Sequence, residues 1–166
     1  MSEAFDIPAD YAANRHLTLQ FEATELVDVG SASEGRAIRL APETAAAWKR
    51  MQDAASREGI AFLAISGFRS IERQTEIIQR KLLAGESLEA VLQTMAAPGF
   101  SEHHTGRAID IGVPDEPPLT EAFALTPAFR WLTAQAAHFG FRLSYPRDNP
   151  QGLVYEPWHW YHHTSK

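Results

Sequence analysis

Six of the seven histidines lie beyond residue 100, and five of those six crowd into two short segments. The first segment is SEHHTGRAIDIG at 101–112, the second is EPWHWYHH at 156–163, and each sets a carboxylate beside imidazoles. A chain that uses both for one purpose must fold so that they meet. The sequence has no cysteine, so disulfides, thiol nucleophiles and sulfur-ligated metals are excluded. Any metal here is held by His, Asp or Glu, a donor set that suits Zn²⁺.

Spacing narrows the candidates. Asp110 stands between two isoleucines in AIDIG, where burying a carboxylate is unfavourable unless a metal or cation accompanies it. Gly106 allows the chain to turn, so His103 and Asp110 converge from a loop and a strand. If 158–161 is extended, Trp158 and Trp160 share one face and enter the core, while His159 and Tyr161 share the other. Pro157 bends the backbone and lets Glu156 point to the same centre as His159. Two histidines and one aspartate, His103, Asp110 and His159, make a three-ligand site with the fourth position open to water. The helical HExxH solution is absent from the sequence. In SGFRS, 66–70, Arg69 follows an apolar strand and is either a structural partner of a carboxylate or a clamp on a substrate oxygen. His16 and His138 are expected to be ordinary surface or core residues, and His162-His163 a solvated tail.

The apolar pattern predicts one α+β domain, with helices packed on a small antiparallel sheet. Residues 1–16 read as an irregular arm and 17–166 as the catalytic domain. Helices are expected over 42–58, 71–84, 88–95 and 127–138. The first has Trp48 and Met51 at helical spacing, and the second and third are capped by Ser70 and Ser87. Short strands are expected over 25–29, 36–40, 108–111, 141–145 and 158–162. The continuous run Ile60–Ile65 reads as a fully buried strand.

SGFRSIERQ, SEHHTGRAID and EPWHW, in that order, resemble the D-alanyl-D-alanine carboxypeptidase family of zinc peptidases, which includes VanY and VanX types and shares its architecture with the hedgehog signalling domain. The resemblance covers about 27–162. It implies that His103, Asp110 and His159 hold Zn²⁺, that Glu156 is the general base and that Arg69 stabilises the oxyanion. It further implies that Gln74 and Ser101 hold the terminal D-residue of a peptidoglycan-derived peptide. Relatives commonly read WHWRY, whereas this chain has Tyr161 in the arginine's place, so a weaker demand for a negative group there is expected.

A net charge of −6 makes nucleic acid an unsuitable partner. No stretch approaches the roughly 20 apolar residues of a membrane span. The first twenty residues lack the apolar run of a signal peptide, so the expected compartment is the cytoplasm. The alternatives to a carboxypeptidase are an endolysin-like endopeptidase and a non-catalytic metal-binding module. Endolysins tend to be basic or to carry a wall-binding module, and a pure binding module has no need of Glu156 and Arg69.

Overall fold

Pro42 opens a helix, α2 (Pro42–Arg57), whose Thr44, Ala47, Trp48, Met51 and Ala55 are buried along one stripe. The structure, a computed structural model, describes residues 5–32 and 34–163. Residues 1–4 of the expected arm and 164–166 of the expected domain lie outside the described residues. Before α2 come one helical turn, α1 (Tyr11–Asn14), and an antiparallel hairpin of β1 (Val27–Ser31) and β2 (Ala37–Leu40). After it come β3 (Leu63–Ser66), α3 (Ile71–Leu83) and α4 (Leu88–Thr94). A 3-10 turn, Glu102–Thr105, leads into β4 (Ala108–Gly112). Then follow α5 (Pro127–Gln135), β5 (Phe141–Leu143) and β6 (His159–His162). The second sheet has the order β3-β4-β6-β5, with every pairing antiparallel. The α+β expectation holds.

Opposite residues of an antiparallel pair share a face. Ile109 pairs with Trp160, and both join Ile111, Phe141, Trp48, Met51, Trp131 and Leu132 in the main core. Asp110 pairs with His159 and Ala108 with Tyr161, so these four lie on the other face. The helices α2 and α5 thus cover one side of the sheet, and the two histidine-rich segments meet on the other.

Local chemistry explains the boundaries. Ser70 and Ser87 accept from the backbone N–H groups of Arg73 and Ala90, capping α3 and α4 as expected. Thr126 caps α5, which gives way at Ala136 to a 3-10 turn through Phe139, short of the expected single helix to 138.

Two expectations are corrected. The run 60–65 is not a buried strand: Leu63 is 42% exposed, because β3 is one of the sheet's two edge strands. His162 is no solvated tail residue. Its parity puts it on the core side with Trp160, where it is buried and its Nδ1 lies 2.9 Å from the Thr44 hydroxyl of α2. Within the arm, Phe5 and Tyr11 are buried, and the Tyr11 hydroxyl accepts from the Ala97 N–H at 2.9 Å.

Candidate metal centre

Two ligand candidates come from the middle of the sheet and one from the turn before it. Asp110 and His159 are register partners on β4 and β6, with His159 Nδ1 3.1 Å from Asp110 Oδ1. His103 sits in the 3-10 turn, its Nε2 3.3 Å from Asp110 Oδ2. One ligand atom from each of the three lies within 4.8 Å of the others, and all three residues are buried. Donors around a tetrahedral zinc stand roughly 3.4 Å apart, so a small closure suffices to hold the ion. The donor set and its spacing fit.

Backbone geometry makes this convergence possible. The turn ends on Gly106, which has φ +72° and whose added Cβ would lie 3.0 Å from the Ala41 nitrogen. Gly67 is equally constrained, since a Cβ there would lie 2.5 Å from the Arg39 carbonyl oxygen. A bulge between Ala64 and Ser66 sets Ser66 opposite Asp110, so that β3 delivers the 67–69 segment to the site.

That segment is bonded to the histidine turn along its length. The His103 Nδ1–H donates to the Gly67 carbonyl at 2.7 Å, which leaves Nε2 to face the centre. The Arg69 N–H donates back to the His103 carbonyl at 3.0 Å. His104, fully buried, donates from Nδ1 to the Arg69 carbonyl at 2.7 Å and accepts at Nε2 from the Gly99 N–H at 3.0 Å. The Arg69 guanidinium is held in turn, donating to Gln74 Oε1 at 2.9 Å and to the Ser66 hydroxyl at 3.4 Å. Gln74 spends its amide nitrogen on the Ala96 carbonyl at 2.7 Å. Ser101 caps the turn by accepting from the His103 N–H at 3.1 Å. Both Gln74 and Ser101 line the cleft, but each already has a partner inside the protein.

The cleft has a volume of about 440 Å³, with Arg69, His103, Asp110, Glu156 and His159 on its walls and Lys81, Leu119 and Trp158 among its other lining residues. Trp158 borders the cleft while packing half-buried against the main core, whereas Trp160 lies inside it. The reason is a turn: the His159 N–H donates to the Glu156 carbonyl at 3.1 Å, and the strand begins only at His159. The same turn brings Glu156 Oε1 to 3.9 Å from His159 Nδ1.

Charge is concentrated here. Burial pushes the Glu156 carboxyl up to about 7, opposed by His159 and Arg69 and reinforced by Asp110 and Glu102. Burial would also raise Asp110, but the charges and hydrogen bonds of His103 and His159 outweigh it and hold the carboxyl below the usual range. Burial would lower His159, yet hydrogen bonds to Asp110 and Glu102 carry it up to about 10. Burial lowers His103. In the metal-free protein, then, a proton on His159 occupies the region a cation would take.

Two residues that the sequence did not single out complete the site. Glu102 Oε1 lies 2.9 Å from His159 Nε2 and accepts from the Ser144 hydroxyl at 2.7 Å. The Tyr145 ring packs on His159 with centroids 4.8 Å apart, and burial, with nearby Glu102, Glu156 and Asp110, keeps its phenol protonated. Glu102 had a legible signal, an acid beside a ligand histidine. Tyr145 had none. Tyr161 lies on the same face as His159, with the guanidiniums of Arg107 and Arg142 at 5.4 and 5.8 Å from its ring, so positive charge stands near this position without an arginine at 161.

Residues 37–165 match the profile of a family described as VanY, D-alanyl-D-alanine carboxypeptidase. The putative carboxypeptidase YodJ of Bacillus subtilis (strain 168) is 40% identical over 121 residues, which span 70% of this chain and 44% of YodJ. The chain therefore covers less than half of that relative's length. Among solved structures, the LdcB LD-carboxypeptidase superposes with a TM-score of 0.76 at 34% identity, over 86% of this chain and 70% of that one. A variant of the vancomycin-resistance D,D-pentapeptidase VanY in complex with Zn(II) gives 0.66 at 29% identity, over 86% and 80%.

Proposed function

Because this chain belongs to the VanY family of D-alanyl-D-alanine carboxypeptidases, we propose that it is a zinc-dependent peptidase that removes the terminal D-amino acid from peptidoglycan stem peptides or their precursors. The observation that carries this is the buried cluster of His103, Asp110 and His159 sharing one cleft with Glu156 and Arg69.

Zinc held by His103, Asp110 and His159 would supply Lewis acidity, lowering the pKa of water toward neutrality and polarising a carbonyl. The protein supplies the remainder. Glu156, with its carboxyl near 7, is matched to take a proton from water and return it to the departing amine nitrogen. Arg69 points a fixed guanidinium into the cleft, where negative charge on the attacked carbonyl oxygen would be stabilised without reorganisation. Burial lowers the Arg69 pKa, but guanidinium stays charged near neutrality. Asp110 balances the metal's charge.

A second specificity is favoured by one comparison: the similarity to LdcB makes an L,D bond a competing target. The zinc-loaded protein should be incubated with three stem peptides, one ending in D-Ala-D-Ala, one ending in an L-residue followed by D-Ala, and the first amidated at its C-terminus. Release of D-Ala, identified by mass, supports a carboxypeptidase, and the faster of the first two assigns the bond. Amidation should lower kcat/KM at least about tenfold, a difference of about 1.4 kcal/mol. Equal cleavage of free and amidated peptides would replace this proposal with an endopeptidase.

A further inference from the structure

Glu102 has no role in the chemistry above, yet its side chain is only 14% exposed and fully engaged. Its Oε1 is shared between His159 Nε2 at 2.9 Å and the Ser144 hydroxyl at 2.7 Å. An imidazole can bind a cation through only one ring nitrogen, and only if that nitrogen carries no proton. Which nitrogen remains free is set by whatever accepts the N–H at the other end of the ring. The two ligand histidines meet this requirement in opposite ways. His103 spends Nδ1–H on the Gly67 carbonyl and presents Nε2, whereas His159 turns Nδ1 toward Asp110 and Nε2 toward Glu102.

We infer that Glu102 is a positioning residue that fixes the ligand tautomer and ring orientation of His159, with Ser144 fixing the carboxylate of Glu102. The inference rests on His159 being a metal ligand. Three supports surround the His159 ring. The Tyr145 ring packs on it at 4.8 Å, the His103 ring meets it edge-on at 4.9 Å and 84°, and Glu102 holds its far end. Of these three, only Glu102 bonds to a particular ring nitrogen, the one turned away from Asp110. A neutral carbonyl suffices for His103. His159 instead has a charged acceptor, which strengthens the hydrogen bond and makes the ring a more basic ligand. The hydroxyl of Ser144 comes from just past β5, so the edge strand is tied to the centre through this relay.

Zinc alone is the probe. Its affinity is measured by competition with a chromophoric chelator for wild type, Glu102→Gln, Glu102→Ala and Ser144→Ala, and long-range proton–nitrogen spectra of the zinc-loaded proteins report the His159 ring. Wild type should show a protonated Nε2 and a metal-shifted Nδ1. Glu102→Ala should bind zinc roughly 10–100-fold more weakly and lose the slowly exchanging Nε2 proton. Glu102→Gln keeps an acceptor oxygen without the charge and should fall between, and Ser144→Ala should lose less than Glu102→Ala. Circular dichroism checks folding, and if the alanine variant unfolds the glutamine variant decides. Zinc affinities of the folded Glu102 variants within about twofold of wild type, with the Nε2–H signal unchanged, would overturn the inference. Wild type failing to bind zinc would instead overturn the metal assignment on which it rests.

Discussion

His104 and Arg69 are tied ring to backbone, the His104 Nδ1–H donating to the Arg69 carbonyl at 2.7 Å from a ring with no exposed surface. The ring therefore holds the carbonyl of one catalytic candidate while its sequence neighbour, His103, is a candidate metal ligand. His104→Ala should leave zinc stoichiometry at one per chain, because no ligand is lost. It strands the Arg69 carbonyl and the Gly99 N–H in the interior, so the fold should lose about 2–4 kcal/mol in urea unfolding. Turnover should fall through kcat more than through KM, since Arg69 is displaced and not removed.

Metal binding should be strongly pH-dependent. In the metal-free protein His159 holds its proton up to about 10, and zinc must displace it. Apparent zinc affinity should therefore rise by about tenfold per pH unit between roughly pH 7 and 9. His103→Ala, Asp110→Ala and His159→Ala should each abolish stoichiometric binding, measured by metal analysis after dialysis. Full occupancy in any one of them would remove that residue from the ligand set.

Stability of the metal-free protein should move with pH in the opposite sense. The folded pKa of His159 is raised, so its contribution is complete below about 6.5 and is lost as pH rises through about 10. Glu156, also raised, is lost similarly as pH rises through about 7. Thermal unfolding of the metal-free protein should therefore occur at lower temperature at pH 9 than at pH 6. Excess zinc should restore the loss at pH 9 by binding only the folded state.

Glu156→Gln separates catalysis from metal binding. Zinc content should be unchanged, while turnover on any peptide the wild type cleaves drops by about 10²–10⁴-fold. The same substitution removes a buried charge, so at pH 8 the metal-free fold should gain up to about 3 kcal/mol, and at pH 4 nothing. A variant that is active at near the wild-type rate would leave Glu156 without a role as base.

Arg69→Lys keeps a positive charge but loses the planar fork whose two nitrogens donate to Gln74 and Ser66. Gln74→Ala leaves Arg69 in place but releases its guanidinium and strands the Ala96 carbonyl. Both should depress kcat at least about tenfold with zinc retained. If Gln74→Ala alters KM alone, the glutamine contacts substrate and does not serve Arg69.

The sequence showed the parts whose partners are near in the chain. Helical spacing of Trp48 and Met51, the Ser70 and Ser87 caps, and alternation along β4 all act over a few residues and are visible locally. The clustering of His103, Asp110 and His159 was legible because an aspartate between isoleucines and a cysteine-free pair of histidine clusters leave few alternatives. What stayed hidden depends on distant neighbours. The edge position of β3 is a property of the sheet, so the run 60–65 looked fully buried. His162 is enclosed by Thr44 and Gly140, and His104 bonds to the Arg69 carbonyl, partners too distant in sequence to signal the contact. Trp158 lies half-buried at the margin of the core because the turn through Pro157 postpones the strand by one residue.

Asp110 and His159 are adjacent in space but 49 positions apart in sequence, and everything from Ile111 to Trp158, including α5 and β5, lies between them. A cation shared by the two is thus a removable cross-link in a chain that has no covalent one. In the chain-entropy picture, closing a loop of that size restricts the unfolded ensemble by about 4 kcal/mol. Chelation would open that loop, leaving the central strand pair joined by its backbone ladder, its core contacts and the His159–Asp110 hydrogen bond. The segment 113–158 would then become the stretch most exposed to proteolytic nicking, so zinc supply would govern how long the molecule survives as well as whether it can act.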